Sequence, residues 1–227
     1  MIIKYATISE CGRRSNNEDS FRIVSYPEEH RWMGIVCDGL GGHAMGEVAS
    51  AIVADTIAAY YEQHRKETDS PQMLKDACQK AMAQLNARAD QLRHVEMGTT
   101  MVAAVIDGQS ITIVHMGDSR CYLLKGDGKI AYQTRDHTRL SFGFEVLDKC
   151  FISYHPQVIA PEIVRFDLAT GDRLLLCSDG LYKSMPPEIL LDRIADDKSP
   201  SEILNILTFL CEKNGDDNYT AIFVEIK

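Results

Sequence analysis

The spacing of apolar side chains changes along the chain between a two-residue repeat and a repeat of three to four residues. This pattern predicts blocks of strands separated by helices. Alternating or short apolar runs predict ten strands, at residues 2–8, 20–25, 33–37, 99–106, 110–116, 120–124, 129–133, 162–168, 173–177 and 219–226. The runs 33–37 and 174–177 are apolar at almost every position, which is typical of strands buried on both faces.

Apolar residues at helical spacing predict four helices, at residues 46–65, 70–92, 186–195 and 199–215. In two of them a serine that favours the N-cap precedes a proline that favours the first turn, at Ser70-Pro71 and Ser199-Pro200. We expect the first two helices to form an antiparallel pair. Because the helices come in pairs between antiparallel strands, the pattern predicts an α+β layered fold and not a wound βαβ sheet.

One long segment has little periodicity. Between residues 136 and 161 we predict a long functional or mobile loop. No change of composition marks a linker, and 45% of the 227 residues are hydrophobic, which suits one core of ordinary size. We therefore expect a single domain over residues 1–227.

Composition and charge narrow the function classes. The formal net charge of −9 argues against nucleic acid and anionic membrane as partners. No run approaches the apolar length of a membrane span, and the first residues lack the pattern of a signal peptide. Seven cysteines occur without CxxC spacing, several of them inside predicted strands and helices, which indicates reduced thiols. We expect a cytoplasmic monomer.

Acidic residues occur where apolar strands meet loops. They are Glu18, Asp19, Asp38, Asp118, Asp179 and Asp217. A single Asp-Gly pair is usually a turn, but Asp38 and Asp179 end strands that look buried on both faces, which suggests one shared site. Converging carboxylates repel one another unless cations neutralise them, and oxygen ligands favour Mg²⁺ or Mn²⁺. The glycines after Asp38 would also let a backbone carbonyl reach a metal.

Two arginines, Arg13 and Arg14, precede the first acidic pair. Either one alone is more often a solvated surface residue, but arginine beside metal ligands binds a phosphoryl group in a fork geometry. The combination predicts a phosphate monoester site with in-line attack by a metal-bound water. His43 is a weak candidate for proton transfer. The glycines before it lack the patterns of a nucleotide-binding loop.

The ordered set of motifs resembles the metal-dependent serine/threonine protein phosphatases of type 2C, especially the compact bacterial members. The motifs extend over nearly the whole chain. They are Arg14-Ser-Asn-Asn-Glu-Asp19, Asp38-Gly-Leu-Gly-Gly-His43, Gly98-Thr-Thr100, Gly117-Asp-Ser-Arg120, Asp136-His137, Ser178-Asp-Gly180 and Asp217-Asn-Tyr-Thr220.

This resemblance implies a four-layer α-β-β-α sandwich, in which two antiparallel sheets are flanked by paired antiparallel helices, with two Mn²⁺ or Mg²⁺ ions at one end. It implies that Asp38 bridges both cations, and that the Gly39 carbonyl and Glu18, through water, serve one of them. Asp19 would act mainly through the water shell, and Asp179 and Asp217 would complete the surroundings of the other. The resemblance further implies a third, weaker cation at Asp118, phosphate binding by Arg14, and phosphoprotein substrates made by a serine/threonine kinase.

The sequence departs from the family pattern in two places. Leu40 stands where some members have a histidine proposed as the general acid, which leaves metal-bound water or His43 as the proton donor. The stretch between His137 and Ser178 is short, and residues 150–155 do not match the Arg-x-Leu-Gly pattern that usually follows the flap. We therefore expect a reduced or remodelled flap at about residues 137–161.

Two other functions stay open at this point. The altered flap and Leu40 are compatible with a catalytically weak or inactive module that binds phosphoproteins on the same fold. A different metal hydrolase, such as a phosphodiesterase, is a third interpretation, against which the fold pattern and the Arg14 motif argue.

Overall fold

Two five-stranded antiparallel sheets form the centre of the computed structural model, which describes residues 1–40, 45–66, 70–154 and 160–227. The first sheet contains, in spatial order, β1 (Ile3–Glu10), β14 (Tyr219–Ile226), β13 (Arg173–Cys177), β7 (Arg120–Leu124) and β8 (Ile130–Gln133). The second contains β12 (Glu162–Asp167), β6 (Ser110–Met116), β5 (Met101–Asp107), β3 (Arg31–Asp38) and β2 (Asp19–Tyr26).

A pair of helices covers the outer face of each sheet. On the second sheet these are α1 (Gly46–His64) and α2 (Ser70–Gln91). On the first sheet they are α4 (Pro187–Ala195) and α5 (Pro200–Asn214), preceded by the one-turn helix α3 (Asp179–Tyr182). The predicted four-layer α-β-β-α sandwich is therefore confirmed. In the part of the chain that the structure describes, no helix is long and apolar enough to cross a membrane.

The alternation of side chains along β3 shows why its sequence is apolar on both faces. Met33 and Ile35 belong to the core beneath α1 and α2, whereas Trp32 and Val36 belong to the core between the two sheets. All four are fully buried. Since successive strand residues point to opposite faces, a strand buried by a helix layer and a second sheet has no polar face.

The prediction of a long loop between residues 136 and 161 is wrong in part. Within it, β9 (Thr138–Ser141) and β10 (Phe144–Leu147) form a hairpin, and β11 (Phe151–Ile152) pairs with β4 (Gly98–Thr99). The alternation of Leu140, Phe142, Phe144 and Val146 is a strand signal that the prediction missed. These side chains do not form a core face, because Leu140, Phe142 and Phe144 are 80%, 100% and 74% exposed. Its two-residue turn is the left-handed pair Phe142-Gly143.

Other predicted features agree with the structure. The seven cysteines are free thiols, five of them buried. The helix α5 begins with Ser199 as N-cap and Pro200 in the first turn. The Ser199 side chain accepts a hydrogen bond from the backbone of Glu202, whose carboxylate accepts one from the Ser199 backbone N–H, and this completes a capping box.

We expect Ser199→Ala to lower the free energy of unfolding by about 1 kcal/mol, because the backbone N–H of Glu202 loses its acceptor and the Glu202 carboxylate loses the Ser199 hydroxyl. Urea unfolding followed by circular dichroism measures this change. The matched control is Ser201→Ala, an exposed serine two residues later. Equal unfolding free energies for both variants would show that the cap does not contribute.

Candidate metal and phosphate site

The strand-end acids meet at one end of the sandwich, in a cleft of about 390 Å³. Asp38 ends β3 and lies directly opposite Asp19, the first residue of β2. Asp179 begins α3 just after β13, and Asp217 lies two residues before β14. The predicted site residues that line the cleft are Arg14, Glu18, Asp38, Gly39, Asp118, Asp179 and Asp217. Asp19 is buried next to this set, and His43 lies outside the described residues.

Asp38 is fixed through its backbone. Its carbonyl accepts hydrogen bonds from the Thr100 N–H (2.8 Å) and the Thr99 hydroxyl (2.8 Å), and its N–H donates to the Thr100 hydroxyl (3.1 Å). The Thr100 hydroxyl is also 2.6 Å from that of Ser119, the residue after Asp118. The Gly98-Thr-Thr100 motif thus holds the segments of Asp38 and Asp118 next to each other.

Gly39 must be glycine because three backbone segments converge there. Its N–H donates to the carbonyl of Glu18 at 3.1 Å. A side chain on Gly39 would overlap the carbonyl groups of Gly46 and Glu18. The main chain therefore passes close to both neighbours where Gly39 lines the cleft.

The second strand-end acid is held by contacts between α3 and β14. A side chain on Gly180 would overlap the carbonyl oxygen of Asn218, so α3 begins in contact with the start of β14. The hydroxyl of Ser178 donates to Oδ2 of Asp19 (2.7 Å) and accepts from the N–H of Thr220 (2.9 Å). This one buried serine joins strands of both sheets behind the cleft.

Asn218 organises the segment that carries Arg14. Its side-chain oxygen accepts from the N–H of Glu18 (2.9 Å), and its amide group donates to the carbonyls of Cys11 and Asn16, each at 2.8 Å. Arg14 extends from this segment to Asp217, with 2.9 Å between its Nη2 and Oδ2 of the carboxylate. The side chain of Arg14 is 55% exposed and faces the cleft opening.

The carboxylates are crowded in a partly water-excluded site. Burial raises the pKa of Asp38 well above its usual value, and the negative charges of Asp19 and Asp179 raise it further. Burial also raises the pKa of Asp19 to about 7, although the Ser178 hydrogen bond opposes the shift. The pKa of Asp118 is raised to about 6 by burial and by the charge of Asp179. Such a set of oxygen ligands with excess negative charge fits hard divalent cations.

Asp118 is supported by a chain of contacts that the sequence did not indicate. The Tyr182 hydroxyl donates to the Asp118 carbonyl (3.1 Å), and the guanidinium of Arg120 lies 3.6 Å from the centre of the Tyr182 ring. Arg120 in turn binds both carboxylate oxygens of Asp136, at 2.9 and 2.7 Å. Lys183, the residue after Tyr182, contacts Asp118 and Asp179 and was also missed, because nothing in its sequence position distinguishes it from a surface lysine.

Two histidines form a separate group with Glu162, in which the possible ligand atoms lie within 4.8 Å of one another. The rings of His115 and His137 stack with centroids 4.3 Å apart and planes at 6°. The Gly117 N–H donates to Nδ1 of His137, and Nε2 of His115 donates to the Arg135 carbonyl. Because Nδ1 of His137 accepts a hydrogen bond, its Nε2 carries the proton and lies 3.5 Å from Oε2 of Glu162, so the neutral ring offers no lone pair to a cation. We therefore assign this group a structural role.

Comparison with known proteins identifies the family. A family model described as Protein phosphatase 2C matches residues 9–208. The chain belongs to the protein phosphatase 2C family. The serine/threonine protein phosphatase PstP of Mycobacterium tuberculosis is 30% identical over 244 residues, and the serine/threonine phosphatase stp of Listeria welshimeri is 29% identical over 236 residues. The match covers 93% of this chain and 91% of the Listeria protein.

The architecture agrees with solved structures of this family. The catalytic domain of PstP in complex with two manganese ions superimposes with a TM-score of 0.83 at 29% identity, covering 100% of this chain and 99% of that chain. Against the full-length M. tuberculosis protein the match covers all of this chain but only 45% of PstP. This chain thus spans less than half the length of that relative.

The two departures from the protein phosphatase 2C pattern can be placed in the structure. Leu40 lines the cleft, and its N–H donates to the Gly98 carbonyl at 3.0 Å, so an apolar side chain stands where some relatives have a histidine. The segment after His137 forms the hairpin β9–β10, whose last residue, Leu147, also lines the cleft. The hairpin therefore borders the site although it carries no metal-binding side chain at that point.

In the absence of metal, we expect the site to destabilise the fold as the pH rises. The raised pKa values of Asp19 and Asp118 mean that the folded state holds protons which the unfolded state releases near pH 4. The free energy of unfolding should thus fall as the pH rises from about 4 through the folded pKa values of about 6 to 7.

Urea unfolding in the presence of a chelator, at about pH 5 and at about pH 7.5, tests this expectation. The free energy of unfolding of Asp118→Asn, relative to that of wild type, should rise by on the order of 1 kcal/mol from the lower to the higher pH. Asp192→Asn, at an exposed position on α4, is the control and should show no such gain. A difference for Asp118→Asn that does not vary with pH would contradict the electrostatic explanation.

Proposed function

We propose that this protein is a metal-dependent serine/threonine protein phosphatase, which hydrolyses phosphoserine and phosphothreonine in proteins. The observation that carries the proposal is the arrangement of one cleft, where Arg14 faces a crowded set of carboxylates. Carboxylates alone would repel a phosphate monoester, whereas carboxylates with bound cations and an arginine attract one. The resemblance to PstP, whose catalytic domain was solved with two manganese ions, supports the same conclusion.

In this proposal Asp38 would hold two Mn²⁺ or Mg²⁺ ions, the Gly39 carbonyl and, through water, Glu18 would serve one of them, and Asp179 and Asp217 would serve the other. Asp19, which accepts the hydrogen bond of Ser178, would act mainly through the water shell. Asp118 is the proposed ligand of a third, weaker cation. When bound, the cations supply Lewis acidity for the phosphoryl oxygens and a nucleophilic water at neutral pH.

Arg14 is the proposed phosphate-binding residue. Its guanidinium forms an ion pair with Asp217, and the side chain is more than half exposed. It can therefore turn toward an incoming phosphate without leaving a buried position. A guanidinium can hold two phosphoryl oxygens at once and so orient the phosphorus for in-line attack. Asp217 would then direct the arginine as well as bind a cation.

The proton for the leaving serine or threonine oxygen needs a separate donor. Leu40 lines the cleft but has no proton to give. His43 stays a candidate acid from the sequence, three residues after Leu40, and lies outside the described residues. We keep it as the side-chain candidate for this step.

The remaining parts of the proposal concern the setting of the enzyme. We infer that residues 1–227 act as one catalytic domain with a remodelled flap at about 137–161, and that the substrates are phosphoproteins made by a serine/threonine kinase. The free buried thiols support a reducing, cytoplasmic setting, and the net charge of −9 supports protein rather than nucleic-acid or membrane partners. We propose that the protein acts as a monomer.

A second candidate function is a phosphoprotein-binding module with little or no turnover. The observation in its favour is Leu40, which removes one proposed acid from the cleft. Binding of phosphate would still be possible through Arg14 and the cations. Turnover therefore decides between the two functions.

The first test is hydrolysis of a phosphothreonine peptide by the purified protein with Mn²⁺ and after removal of Mn²⁺ with a chelator. We expect turnover only with metal, and a loss of about a thousandfold or more in Asp38→Asn, because its carboxylate is proposed to serve two cations. Asp192→Asn should retain wild-type activity. Folded wild-type protein that binds the phosphopeptide but releases no phosphate at any Mn²⁺ concentration would support the binding module instead.

Arg14→Ala should reduce kcat/KM for the phosphopeptide by about 10- to 100-fold, because the bidentate contact to the phosphoryl group is lost. Arg14→Lys should recover only part of this loss, since an ammonium group cannot reproduce the fork. The matched control is Arg13→Ala, which removes the neighbouring arginine that donates to the Lys213 carbonyl away from the carboxylates. Equal losses in Arg13→Ala and Arg14→Ala would refute a specific role for Arg14.

A further inference from the structure

One end of the carboxylate cluster already has a positive charge supplied by the chain itself. The ammonium nitrogen of Lys183 lies 2.6 Å from Oδ2 of Asp179 and 3.7 Å from Oδ2 of Asp118. Lys183 follows α3 directly, and its backbone N–H donates to the Asp179 carbonyl at 2.9 Å. This helical geometry places the two side chains on the same side of the turn, so the contact follows from the local fold.

Lys183 approaches the carboxylates from a different side than Arg14. Arg14 lines the cleft itself, whereas Lys183 lines an adjoining cavity of about 360 Å³, whose wall also includes Asp118. The Lys183 side chain is 57% exposed, but Asp118 and Asp179 are only 15% and 20% exposed. The ammonium group thus neutralises two largely buried carboxylates from the side of the adjoining cavity. Arg14 lies on the side of the cleft where we propose that substrate binds.

We propose that Lys183 is a built-in counter-ion that weakens the binding of a divalent cation between Asp118 and Asp179, and thereby keeps the third cation of the site at low occupancy. The inference rests on the proposed function, which assigns these two aspartates as cation ligands. A cation that binds there must displace the ammonium from Asp179 or bind beside its charge. Both reduce affinity, because the carboxylate charge is already partly compensated.

The effect should be local. Of the acids proposed to hold the two tightly bound cations, Asp179 contacts Lys183, whereas Asp217 has its own partner in Arg14. The cation proposed at Asp179 should therefore also bind more tightly without Lys183, whereas the cation proposed at Glu18 and the Gly39 carbonyl should depend little on it. An ammonium held by two carboxylates also keeps its proton, so the role of Lys183 is that of a charge and not of a proton donor.

Mn²⁺ binding to the metal-free protein tests this role without any activity measurement. Titration followed by the electron paramagnetic resonance signal of free Mn²⁺ counts the bound ions and gives their dissociation constants. In Lys183→Met we expect the weakest Mn²⁺ to bind about tenfold more tightly, while the tight site proposed at Glu18 and the Gly39 carbonyl changes by less than about twofold. Lys183→Arg keeps the charge and should resemble wild type.

The matched control is Lys129→Met, which removes an exposed lysine paired with Asp127 in the turn between β7 and β8. It makes the same change in net charge and should leave every Mn²⁺ dissociation constant unchanged. Adding Asp118→Asn to Lys183→Met should abolish the gained affinity, which locates the gain at Asp118. If Lys183→Met does not fold, Lys183→Gln repeats the test with a polar side chain.

Two results overturn the inference in distinguishable ways. Unchanged affinity of the weakest Mn²⁺ in Lys183→Met, or the same gain in Lys129→Met, would reject the role of Lys183 while leaving the proposed phosphatase intact. Wild-type protein that binds no Mn²⁺ at all would reject the proposed function and this inference together.

Discussion

Repulsion among the carboxylates at one end of the sandwich is the constraint on which the site depends. Asp38 and Asp19 face each other across two paired strands, and Asp179 adds a third negative charge from the other sheet. Water cannot fully screen these charges, because Asp38 and Asp19 are largely removed from it. The repulsion is relieved either by protons, which the raised pKa values of Asp38 and Asp19 reflect, or by bound cations. The way the strands end thus favours cation binding.

Backbone hydrogen bonds position the segments that carry these acids. Thr99 and Thr100 hold the end of β3 through the backbone N–H and carbonyl of Asp38. Asn218 plays the same part for the segment of Glu18, and Gly180 allows α3 to approach β14. Because the acids come from both sheets, their separation is set by the packing of the core between the sheets. A rigid scaffold of this kind keeps the ligands in place before any cation binds.

The parts of the site that a short stretch of sequence marks could be predicted from the sequence. The buried runs before Asp38 and Asp179 are apolar because two layers cover them, so their ends could be recognised as unusual positions for an acid. The alternation of Leu140, Phe142 and Phe144 in the hairpin β9–β10 was present in the sequence and was missed, whereas the exposure of these side chains is visible only in the structure. Helix α3 has four residues, too few to show a period.

Contacts between residues distant in sequence were beyond prediction from one chain. The ion pair of Arg14 with Asp217 joins residues 203 positions apart, and that of Lys183 with Asp118 depends on the turn of α3. The sequence shows that these charged residues exist, but only the fold decides which charges become neighbours. His43 and its proposed role stay a prediction.

Different contacts hold the Asp38 end and the Asp118 end of the cleft in place. The Asp38 end is attached to the buried core through β3. The Asp118 end is attached through Tyr182 and Arg120 to Asp136, two residues before the exposed hairpin β9–β10 begins. Asp118 is thus linked by side-chain contacts to the segment that leads into the hairpin, whereas Asp38 is held in place by the close packing of the sandwich.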